Sequence, residues 1–85
     1  MSFQLRFTDE ATRQLKKIKE KAHLRRLALL LDDMIAHPFE GLGKPEALKY
    51  ELSGFWSRRI DKKNRLIYEV VEPNVIVVSV LGHYD

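Results

Sequence analysis

The first residues of the chain alternate between apolar and polar side chains. Phe3, Leu5 and Phe7 are separated by single polar residues, and this period of two predicts a strand with one buried face. Thr8 and Asp9 follow, and their side-chain oxygens suit the N-terminus of a helix. The sequence therefore predicts that a short first strand leads directly into a helix.

Apolar residues then recur every three or four positions, as on one face of an α-helix. The pattern predicts a first helix over roughly residues 9–21 and a second over about residues 23–36. Pro38 follows the second helix, and the residue before a proline is disfavoured in helical conformation. With almost no linker between them, the two helices are expected to form a helical hairpin or a kinked pair.

The second half of the chain is patterned as short strands separated by turns. Two glycines and two prolines in nine residues indicate an ordered loop over residues 38–46. Four strand-like segments follow, over residues 48–52, 55–60, 66–71 and 75–81. The predicted order is therefore β-α-α-β-β-β-β. It indicates a single α+β domain over residues 1–85, with a twisted antiparallel sheet and the two helices packed on one of its faces.

Composition narrows the class of protein without showing its activity. The 85 residues contain no cysteine, whereas a small secreted domain usually needs disulfides, so a cytoplasmic location is expected. The chain does not open with an apolar signal segment. Its longest apolar run, residues 27–31, is far shorter than a membrane span of ~20 residues. The three histidines are scattered, so neither a metal nor another cofactor is expected.

Basic residues concentrate between positions 44 and 65, where seven lysines and arginines stand against three acidic residues. Such a surface is typical of phosphate binding, although a solvated sheet edge explains it equally well. Arg58 and Arg59 are adjacent on one predicted strand and must point to opposite faces, so only one of them can line a given site. Trp56 beside them suits base stacking, but core packing is the preferred interpretation in a small domain.

Several side chains have the chemical character that metal-free RNA cleavage requires. The reaction needs a base for the 2′-hydroxyl, a cation for the phosphate charge and an acid for the leaving 5′-oxygen. Glu46 is a candidate base, Arg59 or Arg65 a candidate cation, and His83 a candidate acid. The need for a 2′-hydroxyl would make DNA inert. Spacing along the chain does not show that these residues meet, and an ordinary surface role remains open for each.

The segment over residues 38–68, P-F-E-G-L-G-K-P-E-A-L-K-Y-E-L-S-G-F-W-S-R-R-I-D-K-K-N-R-L-I-Y, resembles the YoeB/Txe toxins of the RelE superfamily. The terminal H-Y pair matches as well, while the helices resemble the family in layout more than in sequence. The resemblance implies a RelE-like fold and the toxin of a type II toxin–antitoxin pair. Such toxins cut mRNA in the ribosomal A site without a metal. They leave a 2′,3′-cyclic phosphate and a 5′-hydroxyl, and so stop translation.

The same resemblance implies a role for each candidate residue. Glu46 is the general base, and Arg65 stabilises the phosphate charge. His83 is the general acid, and Tyr84 beside it orients the substrate. The further basic residues expected at the RNA are Lys44, Lys49 and Arg59. The chain departs from the family pattern beside His83, at Gly82 and Asp85, which affects the expected rate and not the expected function.

Partners also follow from the resemblance. A cognate antitoxin is expected to cover the site with an acidic, partly disordered C-terminal segment, and the substrate is mRNA on the ribosome. YoeB-like toxins are often homodimers, and the apolar stripe of the second helix fits a dimer interface or the core of one chain equally well. No membrane partner is expected.

Two other functions remain open. A ParE-like toxin would inhibit DNA gyrase by protein–protein contact, and a non-catalytic module would only bind RNA. The superfamily fold hosts both nucleases and gyrase inhibitors, so the fold alone does not decide between them. The combined presence of Glu46, Arg65 and His83 favours the nuclease.

Overall fold

The computed structural model, which describes residues 2–82, contains the predicted succession of strands and helices. The elements are β1 (Gln4–Phe7), α1 (Asp9–Lys17), α2 (Lys21–Ala36), β2 (Glu46–Ala47), β3 (Phe55–Arg59), β4 (Arg65–Val71) and β5 (Asn74–Ser79), with a short 3-10 helix at Tyr50–Leu52. The predicted α+β fold, with two N-terminal helices and a run of strands after them, is confirmed.

Two predicted elements differ from the observed ones. No strand forms over residues 48–52: the two-residue β2 lies before that range, at Glu46–Ala47, and its first residue falls in the predicted loop. Tyr50 has a left-handed φ of 59° and begins the 3-10 helix, so the backbone there is not extended. The first helix ends at Lys17 and not near residue 21. Ile18 is already extended there, and its N–H closes the last turn on the Leu15 carbonyl at 3.2 Å.

The five strands form one sheet in the order β1-β5-β4-β3-β2. Strands β2 to β5 pair antiparallel with their neighbours, as expected for strands joined by short turns. β1 instead pairs parallel with β5, with Leu5 opposite Val75. The sheet is therefore mixed and not wholly antiparallel as predicted. A parallel neighbour needs a long crossover connection, which the two helices and the other strands provide here.

The helices cover one face of the sheet. Thr8 caps the N-terminus of α1, and its hydroxyl oxygen accepts the N–H of the buried Ala11 at 3.1 Å. The buried apolar core combines residues of both helices with alternate residues of the strands: Ala11, Ile18, Leu27, Leu30, Met34, Ile60, Leu66, Tyr68, Val75, Val77 and Val80. Trp56 packs against this core, which agrees with the preferred interpretation of that residue. No helix within residues 2–82 is long and apolar enough to cross a membrane.

Arg58 joins the end of α2 and the loop after it to the sheet. Its side chain is fully buried, and all five N–H groups of its guanidinium have acceptors. Nε donates to the Tyr68 hydroxyl at 3.1 Å, and Nη1 donates to the Asp33 carboxylate at 2.7 Å. The remaining three N–H groups donate to backbone carbonyl groups of the segment after α2, those of His37, Glu40 and Leu42.

The loop after α2 is shaped around this ion pair. Asp33 also accepts the Leu42 N–H at 3.0 Å. A Cβ at Gly41 would lie 2.1 Å from Asp33 Oδ2, and the φ of 110° there favours glycine. The Gly43 carbonyl then accepts the Arg59 N–H at 2.7 Å. The loop is thus attached to β3 just before β2 begins.

We expect Arg58→Met to lower the free energy of unfolding by about 3–5 kcal/mol, because it leaves a carboxylate and several carbonyl groups without their donor. Arg59→Met is the matched control, since it makes the same change at the exposed neighbouring residue, and should cost less than about 0.5 kcal/mol. Urea unfolding of both variants measures the difference. Equal losses would contradict the role given to Arg58.

The hydrogen bond from Arg58 also holds the pKa of Asp33 below its usual value. A lowered pKa in the folded state adds stability above the unfolded pKa of about 3.9, and this stability is lost as the pH falls through the folded pKa. We therefore expect the free energy of unfolding of Asp33→Asn to depend less on pH than that of the parent between about pH 5 and pH 2. Asp32→Asn controls for the loss of one exposed carboxyl group. An unchanged pH dependence in Asp33→Asn would count against the ion pair.

Candidate active site on the open face of the sheet

β2 places Glu46 at the edge of the sheet, on the face that the helices leave open. Glu46 is directly opposite Ser57 on β3, and Ser57 is opposite Ile67 on β4. Opposed residues of antiparallel strands point to the same face, and Ser57 and Ile67 alternate with the residues of β3 and β4 that face the core. The Glu46 side chain is exposed. It is therefore accessible from the open face.

Arg59 and Arg65 form the neighbouring pair on this face. They are directly opposed on β3 and β4, so their Cβ atoms lie about 4.5–5.5 Å apart. Arg59 is exposed and Arg65 is half-buried. The pair is two residues along the strands from the row that contains Glu46, a step of about 7 Å. A carboxylate and two guanidinium groups therefore share one surface.

The two neighbouring arginines of β3 point to opposite faces of the sheet, as strand alternation predicted. Arg58 is buried among the helix, loop and sheet contacts described above, whereas Arg59 is exposed. The basic cluster over residues 44–65 is therefore not one continuous surface. Lys44 and Lys49, which flank Glu46, are both exposed and remain available to a ligand.

The chain after β5 returns to Arg65. The Arg65 N–H donates to the Gly82 carbonyl at 2.9 Å, and the Gly82 N–H donates to Asn64 Oδ1 at 2.8 Å. Gly82 is thus fixed beside the arginine that the sequence analysis assigned to the phosphate. His83 and Tyr84, assigned as the general acid and the substrate-orienting residue, lie outside the described residues, as does Asp85.

Asn64 is oriented for this contact by the turn before β4. Its side-chain amide and backbone N–H groups both donate to the Asp61 carboxylate, the backbone N–H at 2.7 Å. Burial works to raise the pKa of Asp61, but the hydrogen bonds from Asn64 and Lys63 outweigh it, so the pKa lies below its usual value. The charged carboxylate therefore holds the turn and aims Asn64 Oδ1 at Gly82.

Gln14 of α1 supplies the other anchor for the chain after β5. Its Oε1 accepts the N–H groups of Val80 at 2.7 Å and Leu81 at 3.1 Å, and the Ser79 hydroxyl at 3.1 Å. His23 of α2 is buried, with Nε2 3.3 Å from the Val80 carbonyl. Side chains from both helices therefore satisfy the backbone of Val80 and Leu81, where strand pairing has ended.

These anchors were not predicted from the sequence, although the helical spacing contained a signal. Gln14 lies at the three-to-four-residue spacing of Ala11, Leu15 and Ile18, which form the apolar side of α1. A polar residue on the apolar face of a helix needs a buried partner. Which partner it has depends on the tertiary structure. Residues 2–82 contain no group of three acidic or histidine residues placed to hold a metal ion.

This mixed five-stranded sheet, with two helices on one face and charged residues on the other, is the α+β fold of RelE-type toxins. The sequence profile of the YoeB-like toxins of bacterial type II toxin–antitoxin systems matches residues 7–84. The chain belongs to this family, as the resemblance over residues 38–68 predicted.

Individual relatives agree with the family profile. Toxin YoeB of Synechocystis is 43% identical over 66 residues, which are 78% of this chain and 77% of that protein. The YoeB dimer from Staphylococcus aureus superposes with a TM-score of 0.88 at 31% identity, covering 99% of this chain and 100% of the other. The heterotetrameric YoeB–YefM toxin–antitoxin complex from the same organism gives 0.86 at 31% identity, with the same coverage.

We expect Gln14→Leu to speed amide exchange at Val80 and Leu81 by about tenfold or more, because both N–H groups lose a buried acceptor worth about 1–3 kcal/mol. Gln14→Glu keeps an acceptor oxygen at the same place and should retain most of the protection. Hydrogen exchange followed by NMR measures both variants. Unchanged exchange in Gln14→Leu would show that Gln14 does not hold this segment.

Proposed function

We propose that the protein is a ribosome-dependent endoribonuclease toxin that cleaves mRNA in the A site without a metal and so inhibits translation. One observation carries the proposal: Glu46, Arg59 and Arg65 share the open face, and Gly82, which precedes His83 in the sequence, is hydrogen-bonded to Arg65. Family membership supports the toxin role. The nuclease chemistry rests on the residues themselves.

The cleavage that these residues suit is an internal transesterification. Glu46 accepts the proton of the 2′-hydroxyl, and the 2′-oxygen attacks the adjacent phosphorus. Arg65, with Arg59 opposite, stabilises the negative charge that develops on the phosphate oxygens. His83 gives a proton to the departing 5′-oxygen, and Tyr84 orients the substrate. The products are a 2′,3′-cyclic phosphate and a 5′-hydroxyl, and DNA lacks the attacking group.

The openness of the site supports the dependence on a ribosome. Glu46 and Arg59 are both exposed, so the described residues do not enclose the reacting atoms on their own. A base and a cation on an open surface accelerate a reaction only when the substrate is held in a reactive geometry. A ribosome that holds the mRNA would supply this constraint, while Lys44, Lys49 and Arg59 contact its phosphates.

The charge of the open face also bears on the protein partners. A related toxin from Staphylococcus aureus forms a complex with the antitoxin YefM, and a related YoeB forms a dimer. We propose that this chain binds a cognate antitoxin whose acidic, partly disordered C-terminal segment covers the open face. We also propose a homodimer that buries apolar residues of α2, of which Leu24 and Leu29 are 41% and 56% exposed. A substrate on translating ribosomes places this activity in the cytoplasm.

We expect the parent protein to produce cuts at an A-site codon in a purified translation system, read by primer extension on a defined mRNA. Glu46→Gln, Arg65→Ala and His83→Gln should each lower the cleavage rate by about 100-fold or more, because each removes a group that acts in the transition state. The matched controls Glu51→Gln, Arg25→Ala and His37→Gln change the same residue types at exposed positions elsewhere and should cleave as the parent does.

Other outcomes point to the other functions. Translation that stops without cuts would indicate a module that only binds RNA. Normal translation in the purified system together with growth arrest in cells would indicate a gyrase-directed toxin. Equal cleavage by all six variants would contradict the assignment of the catalytic residues.

A further inference from the structure

Tyr50 is the most exposed large hydrophobic side chain within residues 2–82, at 86% exposure. Its backbone has a φ of 59°, in the left-handed region that aromatic residues rarely adopt and that costs free energy. Its hydroxyl makes no hydrogen bond to any other residue of the described range 2–82. Neither burial of the ring nor a hydrogen bond of its hydroxyl within these residues therefore offsets the cost of this conformation.

Tyr50 is nevertheless held in a defined place. It begins the short 3-10 helix, in which the Leu52 N–H donates to the Lys49 carbonyl at 3.1 Å and the Ser53 N–H donates to the Tyr50 carbonyl at 3.0 Å. The turn therefore presents the aromatic ring to solvent in a fixed backbone geometry. A ring presented in this way is prepared for a ligand at a low entropic cost.

The strained residues of the described chain bracket the candidate base. Within residues 2–82, Lys44 and Tyr50 are the non-glycine residues with positive φ, at 52° and 59°, and Glu46 lies between them. Backbone strain of this kind clusters at ligand-binding sites. Tyr50 is four residues after Glu46, so their backbones are at most about 13 Å apart. A few nucleotides of single-stranded RNA span that distance.

We propose that Tyr50 is a stacking platform for a nucleobase of single-stranded RNA bound beside Glu46. The inference rests on the proposed function in taking RNA as the ligand. An exposed aromatic ring binds any base through its π-face, and the exposed Lys49 beside it suits the phosphate of the same nucleotide. A planar ring that is 86% exposed offers a face on which a base can stack, whereas a peptide side chain binds by insertion into a cavity.

The test measures binding separately from cleavage. In a Glu46→Gln background, we expect Tyr50→Ala to weaken binding to mRNA-programmed ribosomes by about 5- to 100-fold, which is the effect of removing one base–aromatic stack. Tyr50→Phe and Tyr50→Trp keep the stacking face and should bind within about threefold of Tyr50. Val71→Ala is the control, because Val71 is also an exposed hydrophobic residue, at 51%, and should bind like the parent.

Tyr50→Gly separates binding from a structural role. Glycine adopts a left-handed backbone without steric cost, so the melting temperature should be no lower than that of the parent, while binding falls as in Tyr50→Ala. A melting temperature that drops in both variants, with binding lost in proportion, would overturn the proposal and assign Tyr50 to the fold.

The base can belong to the mRNA or to ribosomal RNA, and 2-aminopurine in the mRNA distinguishes the two sources. Quenching of a 2-aminopurine placed in or beside the A-site codon, lost in Tyr50→Ala, identifies an mRNA base. Weaker ribosome binding without a change in quenching at any of these positions identifies a ribosomal base. Both outcomes support stacking.

Two results would overturn the inference. In the first, Tyr50→Ala binds ribosomes as tightly as the parent does. In the second, Tyr50→Ala binds RNA normally and is weakened only in binding to the purified cognate antitoxin. Failure of the nuclease proposal is recognised separately. If Tyr50-dependent ribosome binding occurs without any cut by the parent protein, the nuclease proposal fails and the stacking role stands.

Discussion

The buried guanidinium of Arg58 is the interaction on which the rest of the structure depends. A buried charge destabilises a protein unless every donor has a partner, and here one carboxylate, one hydroxyl and three carbonyl groups meet all five N–H groups. These acceptors come from α2, the loop after it and β4. The end of α2, the loop and the sheet are therefore held in one arrangement, and the loop continues directly into Glu46.

Because side chains alternate along β3, one arginine is part of the core and the next is on the open face. Arg58 points to the helix-covered face, and Arg59, one residue later, points to the open face opposite Arg65. The charge of the first is satisfied inside the protein, and the charge of the second is left for a ligand. A count of basic residues in this segment therefore overstates the basic surface that is open to a ligand, because Arg58 is buried in the core.

The open face has exposed side chains, Glu46 and Arg59, while the segments at its borders are held by hydrogen bonds and turns. Gln14 and Asn64 satisfy the backbone after β5 and bring Gly82 to Arg65. At the other edge, Lys44 and Tyr50 keep strained backbone conformations around Glu46. The backbone around the candidate site is therefore held by hydrogen bonds, while the site itself is open to solvent. Such an arrangement suits a large, independently positioned substrate better than a small one.

The sequence by itself determined the order of elements, the two helices, the later strands and the opposite directions of Arg58 and Arg59, because these follow from local periodicity and alternation. Resemblance over residues 38–68 identified the family and predicted the roles of Glu46 and Arg65. Only the tertiary structure decided that β1 lies parallel to β5, that Arg58 binds five acceptors and that Gln14 reaches Val80. Those contacts join residues far apart in the chain, and local patterns do not specify which distant partner a strand edge or a buried polar group will meet.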